Sequence, residues 1–171
     1  LYGYSYDNIG NREWSKTKGT ELKYLANQLN QYTQIADGVT NNLTYDLDGN
    51  LLTDGKWTNT WDGENRLIGV APLSVTNGAK RLAFCYDYMS RRVRKDVLQW
   101  NGSLWQTNEI RMFSYDGWLL ISEIANTPTP GYAVTNVFVW GLDLSGSLQG
   151  AGGIGGLLSA TFGGTTSVSS V

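Results

Sequence analysis

The sequence predicts an all-β chain, an antiparallel meander of β-hairpins, and three observations carry that prediction. Asp-Gly occurs at Asp37-Gly38, Asp48-Gly49, Asp54-Gly55, Asp62-Gly63 and Asp116-Gly117, and Asn-Gly at Asn77-Gly78 and Asn101-Gly102. These dipeptides tolerate the positive φ that tight hairpin turns require. The segments between them alternate with period 2: Leu82, Phe84 and Tyr86 share one face against Arg81, Ala83 and Cys85, and Ile110, Met112 and Ser114 alternate against Arg111, Phe113 and Tyr115. Finally, 21 Gly, 7 Trp and 10 Tyr in 171 residues, with 16 % charged residues, supply turns and sheet faces.

Taken in order, the elements repeat. Tyr6-Asp7-Asn8-Ile9-Gly10-Asn11-Arg12 opens the series. The stretch after it is ambiguous, because Leu22, Leu25, Ala26 and Leu29 fall at i, i+3, i+4 and i+7, which fits either a short helix or a turn between strands. Tyr45-Asp46-Leu47-Asp48-Gly49-Asn50-Leu51, Trp61-Asp62-Gly63-Glu64-Asn65-Arg66-Leu67 and Tyr86-Asp87-Tyr88-Met89-Ser90-Arg91-Arg92 restate the opening motif. Tyr115-Asp116-Gly117 and Trp140-Gly141-Leu142-Asp143 are looser members. Spacings of 39, 16, 25, 29 and 25 residues between the aromatic positions are too uneven for a propeller blade and suit hairpins of unequal length along one sheet. In each unit the aromatic is expected to end a strand and stack on the next hairpin's ring. The Asp is expected to accept turn N–H groups and the Gly to take positive φ. Arg12, Leu51, Leu67 and Arg92 restart the return strand.

The composition also excludes chemistry. Without histidine there is no Ser-His-Asp or Cys-His pair and no imidazole ligand, and one cysteine makes neither a disulfide nor a cysteine zinc site. A net charge of −2 gives no basic footprint for nucleic acid, and no apolar run approaches the roughly 20 residues of a spanning helix. The opening Leu1-Tyr2-Gly3-Tyr4 reads as the inside of a longer chain. A non-enzymatic segment without metal or cofactor is the expectation.

The repeated turns resemble the YD repeats of the Rhs family, and Tyr24 to Tyr32 resembles the segment preceding a repeat there. Phe138-Val139-Trp140-Gly141-Leu142-Asp143-Leu144-Ser145-Gly146-Ser147-Leu148-Gln149-Gly150, with Gly152 to Leu157, looks like the opening of the Rhs repeat-associated core. The core positions are Trp140, Gly141, Asp143, Gly146 and Gly150. The resemblance implies YD hairpins over 1–136, the start of the core over 137–158, and a polar Gly/Ser/Thr tail over 159–171. It further implies an open segment of a spiral β-shell, or cocoon, that encloses a C-terminal polymorphic toxin in interbacterial competition. Flanking repeats and that toxin would be its partners, in a bacterial protein secreted or held at the cell surface. The family's Asp-Pro-x-Gly-Leu self-cleavage motif is missing, so neither autoproteolysis nor toxin activity carries over.

Other candidate sites compete with blander assignments. Gly150-Ala151-Gly152-Gly153-Ile154-Gly155 matches a dinucleotide fingerprint but lacks the following helix and acid, so a backbone turn is the better reading. Asp46, Asp48, Asp54 and Asp62 crowd one region, yet Leu51 and Trp57 stand where an EF-hand needs Gly and Glu; turn capping accounts for them. Among the tryptophans, Trp57 and Trp105 are the candidates for stacking on a carbohydrate, against the simpler role of filling sheet faces. Arg91 to Lys95 reads as a solvated strand face, and Cys85 as a small buried filler.

Overall fold

The computed structural model describes residues 2–126, 133–163 and 165–168, the last four by backbone alone. Every regular element among them is a β-strand. The chain divides into two compact units, Leu1–Val75 and Thr76–Val171.

In the first unit, β1 (Tyr2–Tyr6), β2 (Arg12–Thr17), β3 (Thr20–Ala26), β4 (Tyr32–Ala36) and β5 (Thr40–Asn42) pair in sequence order as an antiparallel sheet. A second meander follows through β6 (Thr44–Tyr45), β7 (Leu51–Thr53), β8 (Trp57–Trp61) and β9 (Leu67–Pro72), each strand antiparallel to the next. The Leu43 N–H donates to the Thr33 carbonyl at 2.9 Å, tying the start of this meander to β4. In the second unit, β10 (Lys80–Tyr86), β11 (Arg92–Trp100), β12 (Trp105–Asp116), β13 (Leu119–Asn126), β14 (Ala133–Trp140), β15 (Leu157–Phe162) and β16 (Thr165–Val168) do the same. The all-β antiparallel class expected from the Asp-Gly turns and the alternation is the one observed.

The structure decides the helix-or-turn ambiguity for the turn. Thr20–Ala26 is a strand paired on both sides, and Asn27 to Asn30 is its turn. Leu25 and Leu29, which a helix would have put inward, are 57 % and 76 % exposed. The i, i+3, i+4 spacing was a coincidence in a short apolar run, outweighed by two-sided strand pairing. The expected boundary at residue 158 falls inside β15, whose Ser159 and Ala160 pair with Val139 and Phe138. Residues 164 and 169–171 of the expected tail lie outside the described residues, as do 127–132 of the expected repeat region.

Among the described residues no large side chain is fully buried. Phe84, Val97, Leu119, Ala125 and Ala160 form the buried apolar set, all in the second unit, so cohesion rests on cross-strand pairs more than on a closed core. The Arg92 guanidinium lies 5.3 Å from the ring centres of both Phe84 and Phe113. Beside it, Arg111 bridges Glu109 and Glu123, and Asn136 donates to Glu123 at 2.9 Å, a polar row across β12, β13 and β14. Cys85 corrects one expectation: it is exposed, because the alternation that buries Phe84 turns Cys85 to the other face, opposite Arg94.

Candidate functional site

The feature that recurs through both units is the turn of each repeat. At Asp7 the backbone N–H donates to the Asn11 carbonyl at 2.8 Å and the Gly10 N–H to the Asp7 carbonyl at 3.2 Å. This is a three-residue loop built on a β-turn, closed by a residue at positive φ, here Gly10 at +93°. The Asp7 carboxylate fills the loop: Oδ1 accepts the N–H of Ile9 and Asn11, and Oδ2 accepts the Asn11 amide at 2.9 Å. The chain thereby satisfies its turn amides without a partner.

The same lock recurs with changed residues. Asp46 holds Asp48 and Asn50, with Gly49 at +86°; Asp62 holds Glu64 and Arg66, with Asn65 at +57°; Asp87 holds Met89 and Arg91, with Ser90 at +60°. Positive φ therefore belongs to the third residue after the Asp whatever its type. Gly63, expected to need it as part of an Asp-Gly pair, does not adopt it, because it sits one residue after Asp62. The hydrogen bonds also set the acidity of the locks. The Asn11 and Asn50 side chains hold Asp7 and Asp46 below the usual carboxylate range. For Asp62 and Asp87 partial desolvation pushes upward, but the N–H and guanidinium of Arg66 and Arg91 outweigh it and the net shift is down.

A further lock was not legible as one. Asn27 Oδ1 accepts the N–H of Leu29 and Gln31 at 2.9 and 3.0 Å, and Asn30 takes φ +59°. The signal was the spacing Asn27-x-x-Asn30, which matches Asp7-x-x-Gly10 once amide and carboxylate oxygens are treated as equivalent acceptors. Asn27→Asp is accordingly expected to move the melting temperature by less than about 2 °C, since Gln31 can turn its amide to donate. Asn27→Ala should lower it by roughly 5 °C, read by thermal circular dichroism.

The turns are also hung on one another. After three of the locks, at Asp7, Asp46 and Asp87, the side chain four residues on reaches the next turn: Asn11 Nδ2 donates to Asn30 Oδ1 at 3.3 Å, Asn50 Nδ2 to Asn65 Oδ1 at 2.8 Å, and Arg91 to the Gly117 carbonyl. The repeat aromatics supply a second rung by their polar tips. Tyr45 Oη donates to the Tyr32 carbonyl at 2.9 Å, Trp61 Nε1 to Leu51 at 2.9 Å, Tyr115 Oη to Arg92 at 2.9 Å and Trp140 Nε1 to Leu120 at 2.8 Å. Burial raises the Tyr45 and Tyr115 phenols above their ordinary range, which keeps both protonated as donors. The expected ring-on-ring stacking is corrected by this geometry. The ring pairs seen within the units, among the described residues, include Tyr24–Tyr32, Trp100–Trp105 and Phe138–Phe162, whereas Tyr6 and Tyr115 face the guanidinium groups of Arg12 and Arg91.

Two members depart from the pattern. Asp116 flanks a two-residue loop of Gly117 and Trp118, and that loop is capped from outside: Gln149 accepts the Trp118 N–H at 2.8 Å and donates to the Asp116 carbonyl at 3.2 Å. Asp143 sits three residues after its aromatic and locks a much larger loop. It accepts the N–H groups of Ser145, Ala151 and Gly153 and the Ser145 hydroxyl, and is only 6 % exposed. The Ser145 hydroxyl leads in lowering its pKa to about 2. Gly146 takes φ +75° in this loop, Gly141 donates to the Gly156 carbonyl at 2.7 Å, and a Cβ on Gly150 would meet the Ser145 and Ser147 hydroxyls. Of the amides a nucleotide phosphate would need at 150–155, Asp143 already holds those of Ala151 and Gly153, the Ser147 hydroxyl that of Gly150, and backbone carbonyls those of Gly152 and Ile154.

The remaining candidates disperse. Asp54 accepts the N–H groups of Lys56 and Trp57, a turn cap. Trp57 is 43 % exposed in the first unit, while Trp105, in the second, is half-buried, with Trp100 against its edge and Arg81 at 4.9 Å from its ring centre. Trp118 is more open than either, at 61 %. Arg91, Arg92 and Arg94 are engaged with Asp87, Phe84 and Asp96. Among the described residues no group of three or more His, Cys, Asp or Glu is placed to hold a metal. Among the described residues no helix is long and apolar enough to cross a membrane.

Comparison with known proteins follows the same lines. No family model matches the sequence. The chain is 33 % identical over 121 residues to the tRNA3(Ser)-specific nuclease WapA of Bacillus spizizenii, and equally to the tRNA nuclease WapA of Bacillus subtilis strain 168, 67 % of this chain in each case. To the tRNA(Glu)-specific nuclease WapA of Bacillus subtilis subsp. natto it is 35 % identical over 94 residues. A Photorhabdus luminescens Tc holotoxin pore, carrying a mutated TccC3, aligns with 96 % of the chain at 12 % identity and a TM-score of 0.25. The chain spans about 4 % of the length of the first two WapA relatives, and it is to a short stretch of these large nucleases that two thirds of its sequence is similar.

Proposed function

We propose that the chain is a wall segment of an Rhs-type shell, exported or displayed by a bacterium, that encloses and helps deliver a toxin carried elsewhere in the same parent protein. The observation that carries this reading is the turn ladder. Asp7, Asn27, Asp46, Asp62 and Asp87 lock their own turns, and Asn11, Asn50 and Arg91 hand a hydrogen bond to the turn that follows, so these hairpins add along a sheet without needing a core of their own. Sheets with no fully buried large side chain among the described residues suit a wall whose faces are covered by what it encloses or by solvent. The similarity to WapA nucleases supports the toxin-bearing parent, and the segment itself supplies no catalytic group in this reading.

The test is a chimera in which this chain replaces the matching 121 residues of the Bacillus subtilis strain 168 relative. Limited proteolysis should leave the nuclease region protected as in the parent, whereas deleting the segment should expose it at least about tenfold faster. A chimera cleaved as fast as the deletion would overturn the wall role.

A further inference from the structure

The two Asn-Gly pairs, Asn77-Gly78 and Asn101-Gly102, both lie outside the strands of the second unit, and the structure treats them differently. An asparagine carries an electrophile, its side-chain Cγ, close to a nucleophile, the backbone nitrogen of the next residue, and a following glycine leaves that nitrogen unshielded. At Asn101 the electrophile is activated: Oδ1 accepts the N–H groups of Ser103 and Leu104, both at 2.9 Å. Two backbone donors on one carbonyl oxygen act as an oxyanion hole, holding most strongly when negative charge develops there. The nucleophile is free as well. Gly102 N–H has no hydrogen-bond partner among the described residues, residues 101–104 are exposed, and a Cβ at Gly102 would meet nothing within 4 Å. At Asn77 both conditions fail. Gly78 N–H donates to the Trp100 carbonyl at 2.9 Å, and among the described residues no donor reaches the Asn77 side-chain carbonyl.

We propose that Asn101 is a self-modification site, converted with water to aspartate and isoaspartate through a succinimide, while Asn77 keeps its amide. The Gly102 nitrogen gives its proton to solvent and attacks Asn101 Cγ. A C–N bond forms as the carbonyl electron pair moves onto Oδ1, where the Ser103 and Leu104 N–H groups hold it. The pair then returns, the Cγ–Nδ2 bond breaks, and the amide nitrogen leaves as ammonia with a proton from solvent. Water opens the five-membered imide. Addition at Cγ restores the ordinary main chain with aspartate at 101, and addition at the Asn101 backbone carbonyl carbon routes the chain through Cβ and Cγ as isoaspartate. Asp54 already displays the first product: its Oδ1 accepts the N–H groups of Lys56 and Trp57, and its own N–H donates to the Trp57 carbonyl. The Asn101 turn has the same three bonds, its N–H donating to the Leu104 carbonyl at 3.1 Å. Aspartate therefore fits and adds a negative charge. Isoaspartate instead adds a backbone atom to a turn whose ends are set by the Trp100–Trp105 pair.

The test is mass spectrometry of peptides from the intact chain after incubation in mildly alkaline buffer, folded or unfolded in guanidinium. In the folded chain –OH should replace –NH₂ at Asn101 at least about tenfold faster than at Asn77, with isoaspartate separated from aspartate by retention. Unfolding removes both the oxyanion hole and the Gly78 bond, so the two rates should converge. Asn101→Asp should fold with the amide protection of β11 and β12 unchanged. The proposal is overturned if Asn77 and Asn101 react equally fast in the folded chain, if Asn77 leads, if Asn101 reacts only after unfolding, or if Asn101→Asp loosens β11 and β12.

Discussion

Asp143→Ala is expected to unravel the loop from Gly141 to Gly156 and to lower the melting temperature by roughly 10 °C or more. One carboxylate there receives three backbone N–H groups and a hydroxyl, and it is nearly sealed from water. Removing it leaves those donors facing an empty pocket, where each unsatisfied group pays its desolvation in full. Amide hydrogen exchange should show it directly, with Ala151 and Gly153 losing protection while β11 and β12 keep theirs. Unchanged protection at both amides would mean that the Asp143 contacts do not hold the loop. The pH response follows from the same geometry. Asp143 titrates at about 2 in the folded chain, against an ordinary value of 3.8, so its stabilisation is complete above about pH 4 and is lost as pH falls toward 2. Asp7, Asp46, Asp62 and Asp87 are shifted the same way and add to the acid loss. With no histidine in the chain, stability should be flat between pH 5 and 8.

Phe84→Ala should cost about 3 kcal/mol, the largest loss expected from an apolar truncation here. Phe84 is 8 % exposed, and its ring supports the Arg92 guanidinium, which bridges to Phe113 two strands away. Truncation opens a cavity and leaves that cation over a single ring. Phe84→Leu, which keeps most of the volume, should cost about 1 kcal/mol. Because the chain has two units, the loss should be read unit by unit, as faster exchange at amides of β10 and β11 with β2 and β3 unaffected. Equal loosening of β2 and β3 would show that Phe84 stabilises more than its own unit.

The sequence made the hairpins legible because their turns are local. An Asp that accepts the N–H groups two and four residues on needs nothing from the rest of the molecule, so Asp7, Asp46, Asp62 and Asp87 stood out by spacing alone. Asn27 escaped because an amide does the same work under a different letter, inside a run whose leucines mimicked a helix face. Gly63 misled for the converse reason: an Asp-Gly pair names a turn but not which residue in it must be left-handed. The one-residue bulge at Asn108, between the Val97–Glu109 and Leu98–Thr107 pairs, was invisible, since nothing in the neighbouring sequence marks it.

Sequence by itself therefore determined the class of the fold and the place of the turns locked by Asp7, Asp46, Asp62 and Asp87, with each carboxylate's contacts made within a span of about five residues. Tertiary structure decided which carbonyl each aromatic tip would find, that Gln149 would cap a loop more than thirty residues away, and that Asp143 would gather the glycine-rich loop around itself. Those contacts depend on strand register. A shift of one residue reverses the face each side chain takes, and register is settled only when whole strands pair.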